Sequence, residues 1–195
     1  MSEITTYKEY EQNFKEQLFS LDISFLINNA GLGQGFPAEK CDDKYIQDLV
    51  SVNCIHPVYL TKLILPHLES QDHRSSIINV ASVMNYHAMK GFSIYSASKK
   101  FLSYFSIGLA HELMKENSKV DITDYRPAFV ATKLSKVKEG FLRLSTDVAA
   151  ECALRDVGKK LTTSACIDHE IQVPFFKWAS SNIPSLFDFV MMKGA

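Results

Sequence analysis

Three short apolar runs, each closed by polar residues, constrain this chain more than any other feature. They are DISFLINNAG (Asp22–Gly31), SSIINVAS (Ser75–Ser82) and KVDITDY (Lys119–Tyr125). A continuous apolar run of this length reads as a strand buried on both faces, the habit of parallel sheets. The stretches between them carry helical patterns. Tyr7, Tyr10, Phe14 and Leu18 recur at helical spacing among Lys, Glu and Gln, which predicts an amphipathic first helix. Cys41–Ser70 is long and periodic with acids at its start, and Pro57 and Pro66 should kink or subdivide it.

A further helix is expected from Ser93 to Asn117. Ser145-Thr146-Asp147 should cap another that runs to Lys160. Beyond Leu161 the pattern suggests a strand through Ile167–Val173 and an apolar helix near Phe175–Met192. Strands alternating with helices indicate βαβ units, hence an α/β fold with a parallel sheet flanked by helices. Residues 1–195 contain no internal repeat or linker and read as a single domain.

Charge excludes some partners. The 21 basic and 22 acidic residues are mixed without long like-charge blocks, so nothing advertises nucleic acid. The four cysteines (Cys41, Cys54, Cys152, Cys166) form no CxxC pair and no His/Cys cluster at metal spacing. They read as reduced thiols, with no metal site. The N-terminal MSEITTYKEYEQ is polar, unlike a signal peptide or anchor. No run approaches the ~18 apolar residues a spanning helix needs.

The sharpest chemical feature is Tyr95-Ser-Ala-Ser-Lys99 at the start of a predicted helix. Residues four apart share one helix face, so Tyr95 and Lys99 point the same way. An ammonium beside a phenol should lower its pKa toward neutrality, which suits an acid that protonates a carbonyl oxygen. Taken alone, such a pair is common on a solvated helix face. Its surroundings are less ordinary. Ser82 ends a predicted strand at the sheet edge where ligands of parallel α/β folds collect. Asn28 and Asn29 end another strand at the same edge, and Asn53 lies in the long helix between them.

Asn28-Asn29-Ala30-Gly31, Asn53, Ser82, Tyr95-x-x-x-Lys99 and Pro127-x-x-Val130-x-Thr132 together resemble the short-chain dehydrogenases/reductases. YRPAFVATKLSK (Tyr125–Lys136) and NIPSLFDFVM (Asn182–Met191) look like the branch holding very-long-chain 3-ketoacyl-CoA reductases and 17β-hydroxysteroid dehydrogenases. The resemblance implies NADPH-dependent reduction of a ketone to an alcohol on a fatty acyl-CoA or steroid-like substrate. It implies a catalytic set of Asn53, Ser82, Tyr95 and Lys99. It implies cofactor contacts at Asn28, Ala30, Gly31, Tyr95, Lys99, Pro127, Val130 and Thr132. NADP as cofactor, and the cytosolic face of the endoplasmic reticulum as location, rest on the branch; the residues alone suggest a cytoplasmic protein.

Departures from that pattern are equally definite. The family opens with a TGxxxGxG loop whose glycines admit the pyrophosphate to a helix N-terminus. This chain has 8 glycines, the first at Gly31. Roughly eighty residues of the first mononucleotide-binding half are expected to be missing, leaving an N-terminally truncated Rossmann-like sheet. Gly31-Leu-Gly33-Gln-Gly35 reads as a turn, not a fingerprint. Ala128 and Asn85 stand where glycine is common, and Asp124 and Arg126 place charge where the branch is more apolar.

Without the first half, Ser24–Ile27 becomes an apolar open edge. It is to be covered by another chain in a homo- or hetero-oligomer, by a rearranged N-terminal segment, or not at all. Two classes of function follow: a reductase, or a catalytically silent scaffold or subunit lacking the phosphate loop. A weaker expectation is membrane-surface contact through Phe175–Met192, for which a packed core helix is the plainer reading.

Overall fold

The computed structural model describes residues 6–132, 134–135 and 143–164, with 174–175, 178–179, 181–183 and 185 nearer the C-terminus. Among the described residues four parallel strands form one sheet in the order β1-β2-β3-β4: Phe25–Asn28, Ser75–Val80, Val120–Tyr125 and Thr162–Thr163. Helix α1 (Tyr7–Phe19) is closed by a capping box in which Thr6 and Glu9 exchange side-chain and backbone hydrogen bonds. Helices α2 (Asp43–Val50) and α3 (His56–Ser70) connect β1 to β2, α4 (Ser93–Lys115) connects β2 to β3, and α5 (Thr146–Asp156) precedes β4.

Alternation along the strands sorts the two faces. Ile77 and Ile122 turn toward Ile64 and Leu68 of α3 and Leu109, Ala110 and Leu113 of α4. Ile78 and Tyr125 turn the other way, onto Ala153 of α5. The parallel α/β architecture expected from the sequence is thus observed. One strand differs from its expectation. Phe25 and Ile27 of β1 are 53% and 50% exposed, while Leu26 packs on the α3/α4 core and Asn28 is buried. Among the described residues β1 is therefore covered on one face only, while on the other face Ile78 of β2 and Tyr125 of β3 have α5 packed against them. β1 pairs with β2 alone among the described strands.

Pro57 acts one turn upstream of itself. Lacking an N–H, it cannot close the helical bond to Asn53, and Ser51–Ile55 opens into a π-turn in which His56 N–H donates to Ser51 O. Pro66 lies inside α3 without ending it. The continuous helix Asp43–Ser70 is long and apolar enough to cross a membrane by length and composition, contrary to the sequence expectation. Its Leu49, Leu63, Ile64 and Leu68 are nevertheless core residues of this sheet-packed fold. The strand expected at Ile167–Val173 and most of the Phe175–Met192 helix lie outside the described residues.

Candidate active site

β2 delivers Val80, Ala81 and Ser82 to the carboxyl edge of the sheet. Ser82 then starts a short 3-10 turn, Val83–Asn85, its hydroxyl accepting from Met84 N–H at 3.2 Å. Two backbone bonds stitch this edge to the segment after β3: Ala81 N–H to Tyr125 O (2.7 Å) and Val83 N–H to Pro127 O (3.0 Å). Ser82 is thereby fixed beside the Pro127–Val130 strip.

The first turns of α4 carry Tyr95 and Lys99 to the same place. Lys99 is 4% exposed, and its ammonium donates to Val80 O at 2.8 Å while lying 5.8 Å from the centre of the Tyr95 ring. Burial disfavours the cation and lowers its pKa to about 8. Tyr95 behaves otherwise than its sequence suggests. Burial raises its pKa, and a hydrogen bond with the Ser82 hydroxyl only partly offsets that. The expected lowering by Lys99 does not dominate, since that ammonium is engaged with a carbonyl and sits over the ring instead of at the hydroxyl. Desolvation of the half-buried phenol thus outweighs its interaction with the Ser82 hydroxyl and favours the protonated form.

Asn53 stands on the π-turn, fully buried. Its side chain clasps one backbone residue with both ends: Oδ1 accepts from Leu32 N–H and Nδ2 donates to Leu32 O, each at 2.8 Å. Nδ2 also donates to Ser98 Oγ (2.9 Å), which in turn donates to Tyr95 O (2.7 Å). Asn53 thus links the segment after β1 to the helix that carries Tyr95 and Lys99. Asn28 does not reach the cleft as expected of a cofactor contact. Its Nδ2 donates to Asn79 Oδ1 at 2.7 Å, and Asn79 donates onward to Ser106 Oγ at 2.8 Å. The matched register Asn28↔Asn79 turns both amides inward, so Asn28 braces β1 against β2 and α4.

The Gly31–Gly35 segment is neither a phosphate loop nor a turn. Its glycines avoid positive φ and run as irregular chain over the start of α4. A Cβ at Gly33 would fall 2.6 Å from the Tyr95 ring, and one at Gly35 2.6 Å from the Phe92 ring. At Gly31 the nearest atoms would be Lys99 Nζ (3.3 Å) and Asn53 Oδ1 (3.5 Å). Close approach to site side chains explains these glycines. Their every-other-residue spacing opposite Phe92-x-x-Tyr95 was the available clue.

These groups border a cavity of about 1020 Å³. Asn29, Ala30 and Gly31 line one wall, Ser82, Tyr95 and Lys99 the floor, and Pro127, Val130 and Thr132 the other wall. Met84, Met89, Phe92, Phe129 and Leu134 make its remaining lining strongly apolar. The structure brings together every expected site residue except Asn28 and Asn53, which lie behind the wall. Ser98 is the residue the sequence reading passed over, although it sits one position before Lys99.

A nicotinamide–ribose unit fits this arrangement. Lys99 spends one of its three donors on Val80 and lines the cavity, and the carboxyl-edge cavity is large enough for such a group beside a substrate. No glycine-rich phosphate cradle occurs among the described residues, so the fit extends to that end of a dinucleotide only.

Known proteins share this framework. The family profile for short chain dehydrogenase matches residues 1–141. A very-long-chain 3-oxoacyl-CoA reductase of Anas platyrhynchos is 30% identical over 173 residues, 86% of this chain and 53% of its own length. The chain therefore spans about half the length of such curated relatives. Among solved structures, a Comamonas testosteroni alcohol dehydrogenase specific for bulky-bulky ketones superposes with a TM-score of 0.70 at 25% identity. That alignment covers 94% of this chain and 70% of the other. A Sphingobium yanoikuyae short-chain dehydrogenase in complex with NADPH gives 0.69 at 23% identity, covering 88% and 68%, a likeness of fold. With the profile spanning most of its length and Ser82, Tyr95 and Lys99 gathered at one sheet edge, the chain belongs to the short-chain dehydrogenase family.

Proposed function

We propose that the chain carries the carbonyl-reducing site of an NADP-dependent oxidoreductase acting on an apolar ketone, of fatty acyl-CoA or steroid-like character. The observation that carries this reading is the Ser82–Tyr95–Lys99 cluster on the floor of an apolar cavity. Bound nicotinamide would supply a hydride to the carbonyl carbon. Tyr95, kept protonated by burial, donates its phenolic proton to the substrate oxygen, and Ser82 donates a hydrogen bond as charge grows there. Lys99 stabilises the phenolate left behind and offers its remaining donors to a ribose hydroxyl. Asn53 positions Leu32 and, through Ser98, the turn of α4 bearing Tyr95. Ala30, Gly31, Pro127, Val130 and Thr132 would flank the nicotinamide.

The name of the Anas platyrhynchos relative favours a 3-oxoacyl thioester over a steroid. The branch resemblance also favours the cytosolic face of the endoplasmic reticulum. The second reading is a silent subunit, and two observations favour it: no phosphate cradle among the described residues, and the open apolar edge at Ser24–Ile27, which invites a homo- or hetero-oligomer. Titration with NADPH followed by nicotinamide fluorescence separates the two. Enhancement that saturates, with ketone-dependent NADPH consumption abolished in Tyr95→Phe but binding retained, supports the enzyme. No response at millimolar NADPH favours the subunit.

A further inference from the structure

Three residues that depart from the family pattern, Asn85, Asp124 and Arg126, meet in one buried cluster behind the cavity wall. Asp124 is fully buried and Arg126 7% exposed. Arg126 Nε and Nη2 both donate to Asp124 Oδ2, at 2.7 and 2.6 Å. Nη2 also donates to Ser103 Oγ (2.7 Å), which donates to the same carboxylate oxygen (2.6 Å). Asn85 Nδ2 donates to Ser103 Oγ as well, at 2.9 Å. The other arm of the guanidinium donates from Nη1 to the Tyr86 hydroxyl, and its carbon lies 4.8 Å from that ring's centre.

The guanidinium therefore touches three elements at once: the end of β3, the Ser103 turn of α4, and the turn that Ser82 begins. Each carries part of the site. Ser103 lies one helical turn beyond Lys99 on the same face, and Asn85 and Tyr86 close the turn opened by Ser82. Residue 126 itself precedes the Pro127 carbonyl that holds Val83 N–H. None of these five side chains lines the cavity.

We infer that Arg126, paired with Asp124, is a positioning residue that sets the Ser82 turn against Tyr95 of α4. The inference rests on the proposed carbonyl-reducing site for its kinetic consequence, but not for its structural one. A planar fork reaching three partners is what arginine offers and lysine does not. Burying a charge pair is commonly no net gain over apolar packing, so stability alone is a weak reason for one here.

The test is the double variant Asp124→Ser/Arg126→Leu in the full chain, which leaves no unpaired buried charge, beside Arg126→Lys. Amide hydrogen exchange is read at Val83 and Met84, whose N–H groups bond Pro127 O and Ser82 Oγ, and at Ile77 and Ile78 inside β2. The expected result is exchange about tenfold or more faster at Val83 and Met84 in the double variant, with Ile77 and Ile78 unchanged. Arg126→Lys, which can keep the ion pair but not the fork, should fall between. In turnover, kcat should drop about a hundredfold with KM little altered, the scale expected when a reacting group is displaced by about 1 Å. Unchanged protection at Val83 and Met84 overturns the inference. So does full kcat in the double variant. Absence of turnover in the unaltered chain counts against the carbonyl-reducing reading alone, and the exchange data still decide this one.

Discussion

The Lys99 ammonium donates to the carbonyl of Val80 at 2.8 Å, anchoring helix α4 to the end of the central strand just where the cavity opens. The bond gives a buried cation one partner of partial charge and no carboxylate. Its desolvation is consequently under-compensated, and its pKa falls to about 8.

A pH dependence follows from that value. Between about 8 and the ordinary 10.5, Lys99 is neutral in the fold but protonated in the unfolded chain. The unfolded state then binds more protons, so stability should rise with pH across this window, by at most about 3 kcal/mol. Urea unfolding at pH 8 and pH 10.5 should show this gain, and Lys99→Met should remove it. Carbonyl reduction should move oppositely, declining above about pH 8 as the ammonium that stabilises the Tyr95 phenolate is lost.

Gly33 tests whether the segment after β1 shapes the site. A Cβ there would lie 2.6 Å from the Tyr95 ring, so Gly33→Val must move that ring or the segment. Overpacking of this kind costs roughly 1–3 kcal/mol. Thermal unfolding should reflect that loss, and turnover should fall more steeply than stability. A Gly108→Ala control inside α4, where an added Cβ meets nothing within 4 Å, should raise stability by about 0.5–1 kcal/mol through helix propensity and leave turnover unchanged.

Much of this was legible in the chain, and the parts that were not share a cause. The alternation of short apolar runs with long helical periods implies a parallel α/β sheet without any coordinates. That Tyr95 and Lys99 share a helix face follows from periodicity; that they belong to a site rested on Ser82, Asn53 and the family resemblance. What one-dimensional pattern cannot carry is register and facing. Asn28 looks like an edge residue until its pairing with Asn79 turns it inward. Gly31–Gly35 looks like a turn until α4 is laid beneath it. Asp124 and Arg126 sit two apart on a strand end and read as misplaced charges, because Ser103 on a separate helix is what joins them. The π-turn at Asn53 was the subtler case. Pro57 signalled a disruption, but not that it would be absorbed by one extra residue per turn.

Asn53→Ala should weaken the fold and the site together. It removes both bonds to Leu32 and the one to Ser98, leaving part-buried backbone groups without partners. A loss of about 1–3 kcal/mol is expected by denaturant unfolding. Proteolysis should become faster near Leu32, where the clasp is released.

The open edge of β1 makes a prediction about assembly. Phe25 and Ile27 face solvent at half exposure on a strand whose outer edge has no described neighbour. Sedimentation velocity should show concentration-dependent association of the unaltered chain. Ile27→Lys should reduce it, since a charge on an edge strand opposes further pairing. A chain that stays monomeric at all concentrations would refute the homo-oligomer.

The central claim is that Tyr95, Ser82 and Lys99 form a working carbonyl-reducing site, and isotope transfer tests it most directly. The chain is incubated with NADPH deuterated at the transferable nicotinamide position and a long-chain 3-oxoacyl thioester, and the product alcohol is read by mass spectrometry. Deuterium on the carbinol carbon, lost in Tyr95→Phe, is the expected result. A chain that binds NADPH yet transfers no deuterium, or a Tyr95→Phe variant that transfers it undiminished, would contradict the assignment.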